Sequence, residues 1–295
     1  MAQGEASWAG DAGAARRRVP AVVLVLGAIV SIQLGAAVAK RLFDQAGPAG
    51  ITFMRAAGAA AVLLVLWRPA LRGRTRRQWA LIAAFGLAQA GVTLFFYLAI
   101  ARIPIAVAVA IEFTGPLGVA VAGSRRAVDG LWVALAAAGV LLLTGWASGA
   151  IDPLGVALAF VAGASWACYI LLSQRLGAAA PGWSGLSLSV AVGALVLAPV
   201  GLAGAGAALL DWRVLLGGLA VGVLAAVLPY SLELEALRRL PTRVFGVLMS
   251  LEPAVAALAA FAILGERLLA RELAGIACVV AASAGATLFG PRRPA

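Results

Sequence analysis

The sequence predicts an all-α polytopic membrane protein, with ten transmembrane helices arranged as two inverted five-helix repeats. Three observations carry this. Of the 295 residues, 63% are hydrophobic and only 12% charged, with a mean hydropathy of +1.03, which no soluble globular domain matches. Apolar runs of about twenty residues, the length that crosses a bilayer, recur along the chain. Finally, "ARIPIAVAVAIEFTGPLGVA" (101–120) lies over "RRLPTRVFGVLMSLEPAVAA" (238–257) without a gap, matching Pro104 with Pro241 and Pro116 with Pro253.

The elements follow in order. Residues 1–15 are small and polar and read as a disordered cytoplasmic tail. Arg16, Arg17 and Arg18 precede a first apolar run, 19–39, which exceeds the roughly 7–15 residues of a signal-peptide core and is read as a retained helix. Runs at 47–67, 79–100, 103–123 and 127–147 complete a first repeat over 16–147. Runs at 153–173, 183–204, 213–232, 241–264 and 270–289 make a second over 148–290, leaving 291–295 as a cytoplasmic C-terminus. No loop is long enough to hold a soluble domain. "SIQLGAAVAKRL" (31–42) lies over "SWACYILLSQRL" (165–176), so the first run pairs with the sixth as the fourth pairs with the ninth. Five spans per repeat is an odd number, so the halves enter the membrane in opposite senses. Such inverted repeats characterise secondary transporters, whose substrate site lies between the halves near the midplane.

The net charge of +11 points to nucleic acid only until the basic residues are located. They lie in short loops, where they orient the chain. With the N-terminus inside, sixteen Lys and Arg fall on the cytoplasmic side (among them Arg68, Arg72, Arg74, Arg76, Arg77, Arg238 and Arg239) and six on the other; Arg55 alone is intramembrane. The chain has no histidine, which removes Ser-His hydrolysis, histidine-ligated haem and the common zinc sites. Ser165 has no evident base beside it. No enzyme, cofactor or metal site is expected. Cys168 and Cys278 lie in apolar helical stretches and read as small packing residues.

A polar layer crosses this apolar frame. At about 1.5 Å rise per residue, Glu112 lies roughly 13 Å below the outer end of its span and Arg55 roughly 12 Å. Gln33 and Thr93 fall near 9 and 10 Å on the same reckoning. Glu252, mid-way along the ninth run, aligns opposite Gly115, under one turn from the repeat-related position of Glu112. A charged layer inside a bundle marks a substrate or ion path. The structural alternatives are an Arg55–Glu112 ion pair that clamps helices, and Glu252 as a cap beside the Pro253 break. Pro116 denies the Glu112 carbonyl its helical donor, and Gly115 and Gly118 loosen the same turn, so Gly115, Pro116 and Pro253 are the candidate helix breaks for gating. Spans one and six also carry small residues every fourth position (Gly27, Ser31, Gly35, Ala39; Gly155, Ala159, Gly163, Ala167), read as close-packing faces.

"AIEFTGPL" (110–117) with "SRRAVD" behind it, "LPYSLELEALRRLPTRVFGVLMSLEPAVAAL" (228–258), "SIQLGAAVAKRLF", "SWACYILLSQR" and "LGERL" resemble the drug/metabolite transporter superfamily, in its EamA-type branch. The resemblance covers residues 17–290 in the same order and with nearly the same spacing. It implies ten helices, both termini cytoplasmic, an inner-membrane location, and export of threonine, homoserine or related amino acids by proton antiport. It also implies a central cavity between the repeats, for which Gln33, Arg55, Glu112, Trp166, Tyr169 and Glu252 are candidates by position, with Thr93 from the depth argument. Another metabolite or drug, such as a purine, an amine or another amino acid, is the alternative cargo.

Overall fold

The computed structural model describes residues 19–122, 127–144, 151–179 and 183–289, and these are helical nearly throughout. The expected tail and C-terminus lie outside them. The first helix, α1 (Ala21–Trp67), runs 47 residues. At 1.5 Å per residue that is about 70 Å, twice the thickness of a hydrocarbon core, so it cannot be one straight pass. Gly47, at φ 64° and ψ 161°, breaks it, and Pro48 follows. Only glycine adopts that conformation cheaply, and proline cannot continue the hydrogen-bond ladder across it.

The helix α2 (Arg76–Ile100) starts at a reciprocal cap: the Gln78 amide donates to the Thr75 hydroxyl, and the Thr75 amide donates to the Gln78 side chain. Next come α3 (Ile105–Glu112) and α4 (Thr114–Ala122), separated at Phe113, then α5 (Ala127–Thr144). Asp152 opens α6 (Pro153–Ala179): its carboxylate accepts from the Leu154 amide, and the Arg102 guanidinium beside it holds that carboxyl below the usual range. The helix α7 (Trp183–Ala205) and a short 3-10 turn lead to α8 (Trp212–Gly222), a π turn (Val223–Val227) and α9 (Leu228–Leu237). A second broken pair, α10 (Thr242–Met249) and α11 (Glu252–Leu264), precedes α12 (Ala270–Phe289).

Seven helical stretches among the described residues are long and apolar enough to cross a membrane, and two further apolar runs, Ile105–Val119 and Gly130–Thr144, are shorter. The chain is a multi-pass membrane protein. The ten runs of the sequence become seven such stretches because the first two form one kinked helix, and because only part of the fourth and of the fifth lies within the described residues. Large apolar side chains such as Leu87, Leu131, Leu195, Leu258 and Phe261 point outward, an arrangement that suits lipid and would aggregate in water.

The helices approach closely where side chains vanish. α1 packs on α7 and α8, α2 on α6, and α5 on α12. A Cβ added at Gly139 would meet the Gly275 carbonyl at 2.8 Å, and one at Gly275 would meet the Gly139 carbonyl at 2.7 Å. Gly115 is tighter still, its added Cβ falling 2.0 Å from the Gly163 carbonyl. Gly115 is therefore a packing position at the α4–α6 contact as well as a neighbour of the helix break.

At one end of the bundle Lys40 and Glu266 form an ion pair at 2.7 Å. Glu266 also accepts from the Ile105 amide at 3.1 Å, capping α3, while Lys40 donates to the Ile103 carbonyl and Arg41 to that of Ile263. All eight residues of α3 are buried, whereas none from Val244 to Met249 in α10 is. The α3 segment is thus wholly enclosed, whereas the described part of α10 is only partly covered.

Gly115→Ala is expected to cost about 1–3 kcal/mol by overpacking, read as a lowered melting temperature in detergent. Gly118→Ala, whose Cβ meets nothing within 4 Å, should leave it unchanged. Equal melting of the two variants would contradict the close α4–α6 contact.

Candidate functional site

The broken helices end around a cavity of about 150 Å³. Gln33 and Arg55 reach it from the two halves of α1, Thr93 from α2, Glu112 from the last turn of α3, Trp166 and Tyr169 from α6, and Glu252 from the start of α11. All seven side chains singled out in the sequence line this one space. The helix-break residues Gly115, Pro116 and Pro253 do not line it; they shape the ends of the segments that carry Glu112 and Glu252. Glu112 and Glu252 are both buried, at 6% and 4% exposure, which in an apolar bundle requires compensation or a task.

Arg55 anchors the cavity. Its Nη1 donates to Thr93 Oγ1 at 2.5 Å and its Nη2 to the Ala225 carbonyl at 2.7 Å, while the guanidinium lies 5.9 Å from the centre of the Tyr97 ring. Thr93 passes the chain on, donating to the Gln89 carbonyl at 3.2 Å. An Arg55–Glu112 ion pair was the sequence-based alternative, and it is absent among the described residues: Arg55 makes no contact with a carboxylate within 4.0 Å. Equal depth fixes height along the helix but not rotation about it, and rotation turns Arg55 toward α2 and the π turn.

The Ala225 carbonyl accepts from Arg55 for a reason written in the sequence. Pro229 lies four residues later and has no amide to offer it, and five residues after Leu224, whose π-type partner it would be. Both freed carbonyls are met by side chains from α1: Ser31 Oγ donates to Leu224 at 2.6 Å and Arg55 to Ala225. Gly35 lets α1 come that close, since a Cβ there would sit 2.7 Å from Ala225 Cβ. Proline is tolerated inside a membrane where neighbours satisfy the groups it frees.

The sequence reading missed four polar residues on the wall: Gln89, Tyr97, Tyr230 and Glu233. Gln89 and Tyr97 stand four residues either side of Thr93 and share its helix face, a signal that was available. Tyr230 and Glu233 follow the π turn, whose extra residue changes the register that a regular helix would give. The Gln89 amide donates to the Tyr230 hydroxyl at 2.6 Å, tying α2 to α9 across the cavity. Among the described residues Gln33 Oε1, Arg55 Nε and Tyr97 Oη are buried on this wall without a protein partner, as groups reserved for a ligand or water would be. Aromatic rings hold the remaining side: Trp166 meets Phe113 edge-on at 5.0 Å, and Tyr169 lies 4.6 Å from Phe85. A cation fixed on one wall and three carboxylates on others give the cavity a charge pattern that a small dipolar molecule would fit.

Comparison with known proteins bears on what such a cavity serves. Residues 153–288 match the EamA-like transporter family. The chain is 44% identical over 278 residues to "Threonine/homoserine exporter RhtA" of Salmonella typhimurium (strain SL1344), covering 94% of both chains. It is likewise 44% identical over 269 residues to the protein of that name from Escherichia coli (strain K12), covering 90% of this chain and 91% of that one. The chain belongs to the EamA-like transporter family. A solved crystal structure, 20% identical, superposes with a TM-score of 0.62 over 92% of this chain and 97% of its own, a likeness of fold alone. In this EamA-like chain the family match falls on the second half, which contains the π turn, Glu233 and the α10–α11 break.

A charge-assisted hydrogen bond contributes about 1.5–3 kcal/mol net, so Arg55→Ala and Thr93→Ala should be coupled in a double-mutant cycle of unfolding by more than about 0.5 kcal/mol. Additive effects would mean the contact does not hold α1 to α2.

Proposed function

We propose that this chain is an inner-membrane amino-acid efflux carrier that exports threonine- and homoserine-like substrates by proton antiport with alternating access. The observation that carries the reading is the cavity itself, with the Arg55 guanidinium on one wall and the Glu112, Glu233 and Glu252 carboxylates on the others. A zwitterionic amino acid has the complementary pair of charges about its α-carbon. Its carboxylate would pair with the Arg55 guanidinium, which lines the cavity and has no carboxylate partner. Its ammonium would settle at the carboxylate wall, and that added cation would disfavour a proton held on Glu112, which couples cargo to protons without any cofactor. The hydroxyl of threonine or homoserine would find Gln33 Oε1 or Tyr97 Oη unoccupied by protein. Exporters of that stated cargo, 44% identical to this chain, support the assignment.

The proposed architecture is ten spans in two inverted repeats, 16–147 and 148–290, with both termini in the cytoplasm. The packing of α5 on α12, the last span of each half, through Gly139 and Gly275 supports it. In that orientation the Lys40–Glu266 pair lies toward the outer side, and the partly covered α10 lies toward the inner one. Gly115, Pro116 and Pro253 would be the points at which the α3–α4 and α10–α11 pairs flex.

Proteoliposomes containing the purified protein should show saturable efflux of labelled threonine and homoserine that rises with an imposed proton gradient. A panel in which a purine, an amine or a drug is carried and these amino acids are not would overturn the cargo. Glu112→Gln should lose the response to the gradient, by about tenfold or more, while still inserting and melting normally; an undiminished response removes Glu112 from coupling. A single cysteine at Arg72 should resist a membrane-impermeant thiol reagent applied to intact cells. Ready labelling there would invert the topology.

A further inference from the structure

We propose that Glu233 is the residue that receives the ammonium group of the incoming amino acid, and that the π turn before it is the device that aims it into the cavity. This rests on the amino-acid reading above and adds a residue and a mechanism to it.

Three independent observations converge on Glu233. It lines the cavity beside Tyr169 and Tyr230, and among the described residues no lysine or arginine lies within ion-pair distance of it. Two residues further on, Glu235 shows what a spare carboxylate on α9 ordinarily does: it pairs with Arg239 and, at 3.6 Å, with Arg238 at the mouth of the helix. Residues two apart on a helix face opposite sides, so α9 spends one carboxylate on its own basic end and presents the other to the cavity.

The second observation is the π turn. The Leu228 amide bonds to the Val223 carbonyl, five residues back, in place of the usual four. One extra residue rotates everything after it by about 100° relative to a regular helix. Without that rotation the face bearing Tyr230 and Glu233 would turn away from the wall it now forms. The turn is held open from outside by Ser31 and Arg55, which bond the two carbonyls that Pro229 leaves free. Arg55 therefore both faces the substrate and fixes the register that points Glu233 at it.

The third is position. Glu233 stands four residues before the end of α9, about 6 Å from it, so by height along its helix it is the cavity-lining carboxylate nearest the Arg238–Arg239 end. Glu112 and Glu252 sit deeper, at the broken ends of α3 and α11.

Threonine binding to purified protein, measured by titration calorimetry for the wild type, Glu233→Gln, Glu233→Asp and Glu235→Gln, tests this. Glu233→Gln is expected to weaken binding by about tenfold or more with an unchanged melting temperature, Glu233→Asp to recover part of the loss, and Glu235→Gln to bind as the wild type. Deleting Ala226, to remove the extra residue of the π turn, should reproduce the Glu233→Gln defect. Wild-type affinity in Glu233→Gln overturns the proposal, as does a loss accompanied by a lowered melting temperature that aspartate does not restore. A wild-type protein that binds neither threonine nor homoserine overturns the cargo reading, and this proposal with it.

Discussion

The guanidinium of Arg55 meets a requirement that the bilayer imposes on the whole bundle. In hydrocarbon no backbone carbonyl can turn to water, and Pro229 leaves two of them without amides. Arg55 answers one and Ser31 the other, and doing so draws α1 onto the π turn with only Gly35 between them. The same guanidinium is bonded by Thr93 on α2. Three segments far apart in sequence thus meet at one side chain. Because two of its donors are held by the structure, Arg55 faces the cavity with its planar guanidinium fixed in place. That is a favourable arrangement for recognising a carboxylate, since little ordering remains to be done on binding.

Much of this was legible in the sequence, and the failures have physical causes. Bilayer-length apolar runs, loop arginines and paired prolines are one-dimensional signals, and they led to a multi-pass helical protein with a polar layer at mid-depth. The seven residues chosen from that layer converge on one cavity because depth along a helix is simple arithmetic. Azimuth is not. Arg55 and Glu112 share a height, but rotation separates them, and in place of the alternative ion pair Arg55 bonds Thr93 and a carbonyl. Tyr230 and Glu233 escaped because a π turn cannot be seen in hydropathy, although Pro229 inside an apolar run was its visible trace. The break at Gly47 and Pro48 was readable as a boundary, yet the chain continues through it as one kinked helix.

The two broken pairs, α3–α4 and α10–α11, carry equivalent proline patterns but differ in their surroundings. Every residue of α3 is buried, and its first amide is capped by Glu266 from the other half of the chain. The described part of α10 is only partly covered. In the proposed alternating-access carrier this inequality would have to be reversible, with two similar elements, one enclosed and one partly covered, exchanging roles about a fixed site. The Lys40–Glu266 pair is a contact suited to such an exchange, since a partly exposed ion pair is of modest strength and can be replaced by water when it opens.

The central claim is that the cavity recognises both ends of a zwitterion, the carboxylate at Arg55 and the ammonium at the carboxylate wall. Displacement of labelled threonine from the purified protein by unlabelled threonine, threonine methyl ester and N-acetylthreonine tests it most directly, because each derivative removes one charge and keeps the side chain. The account predicts that only threonine displaces the label at concentrations near its own affinity, with both derivatives weaker by about tenfold or more. Displacement by either derivative as effective as that by threonine would contradict it.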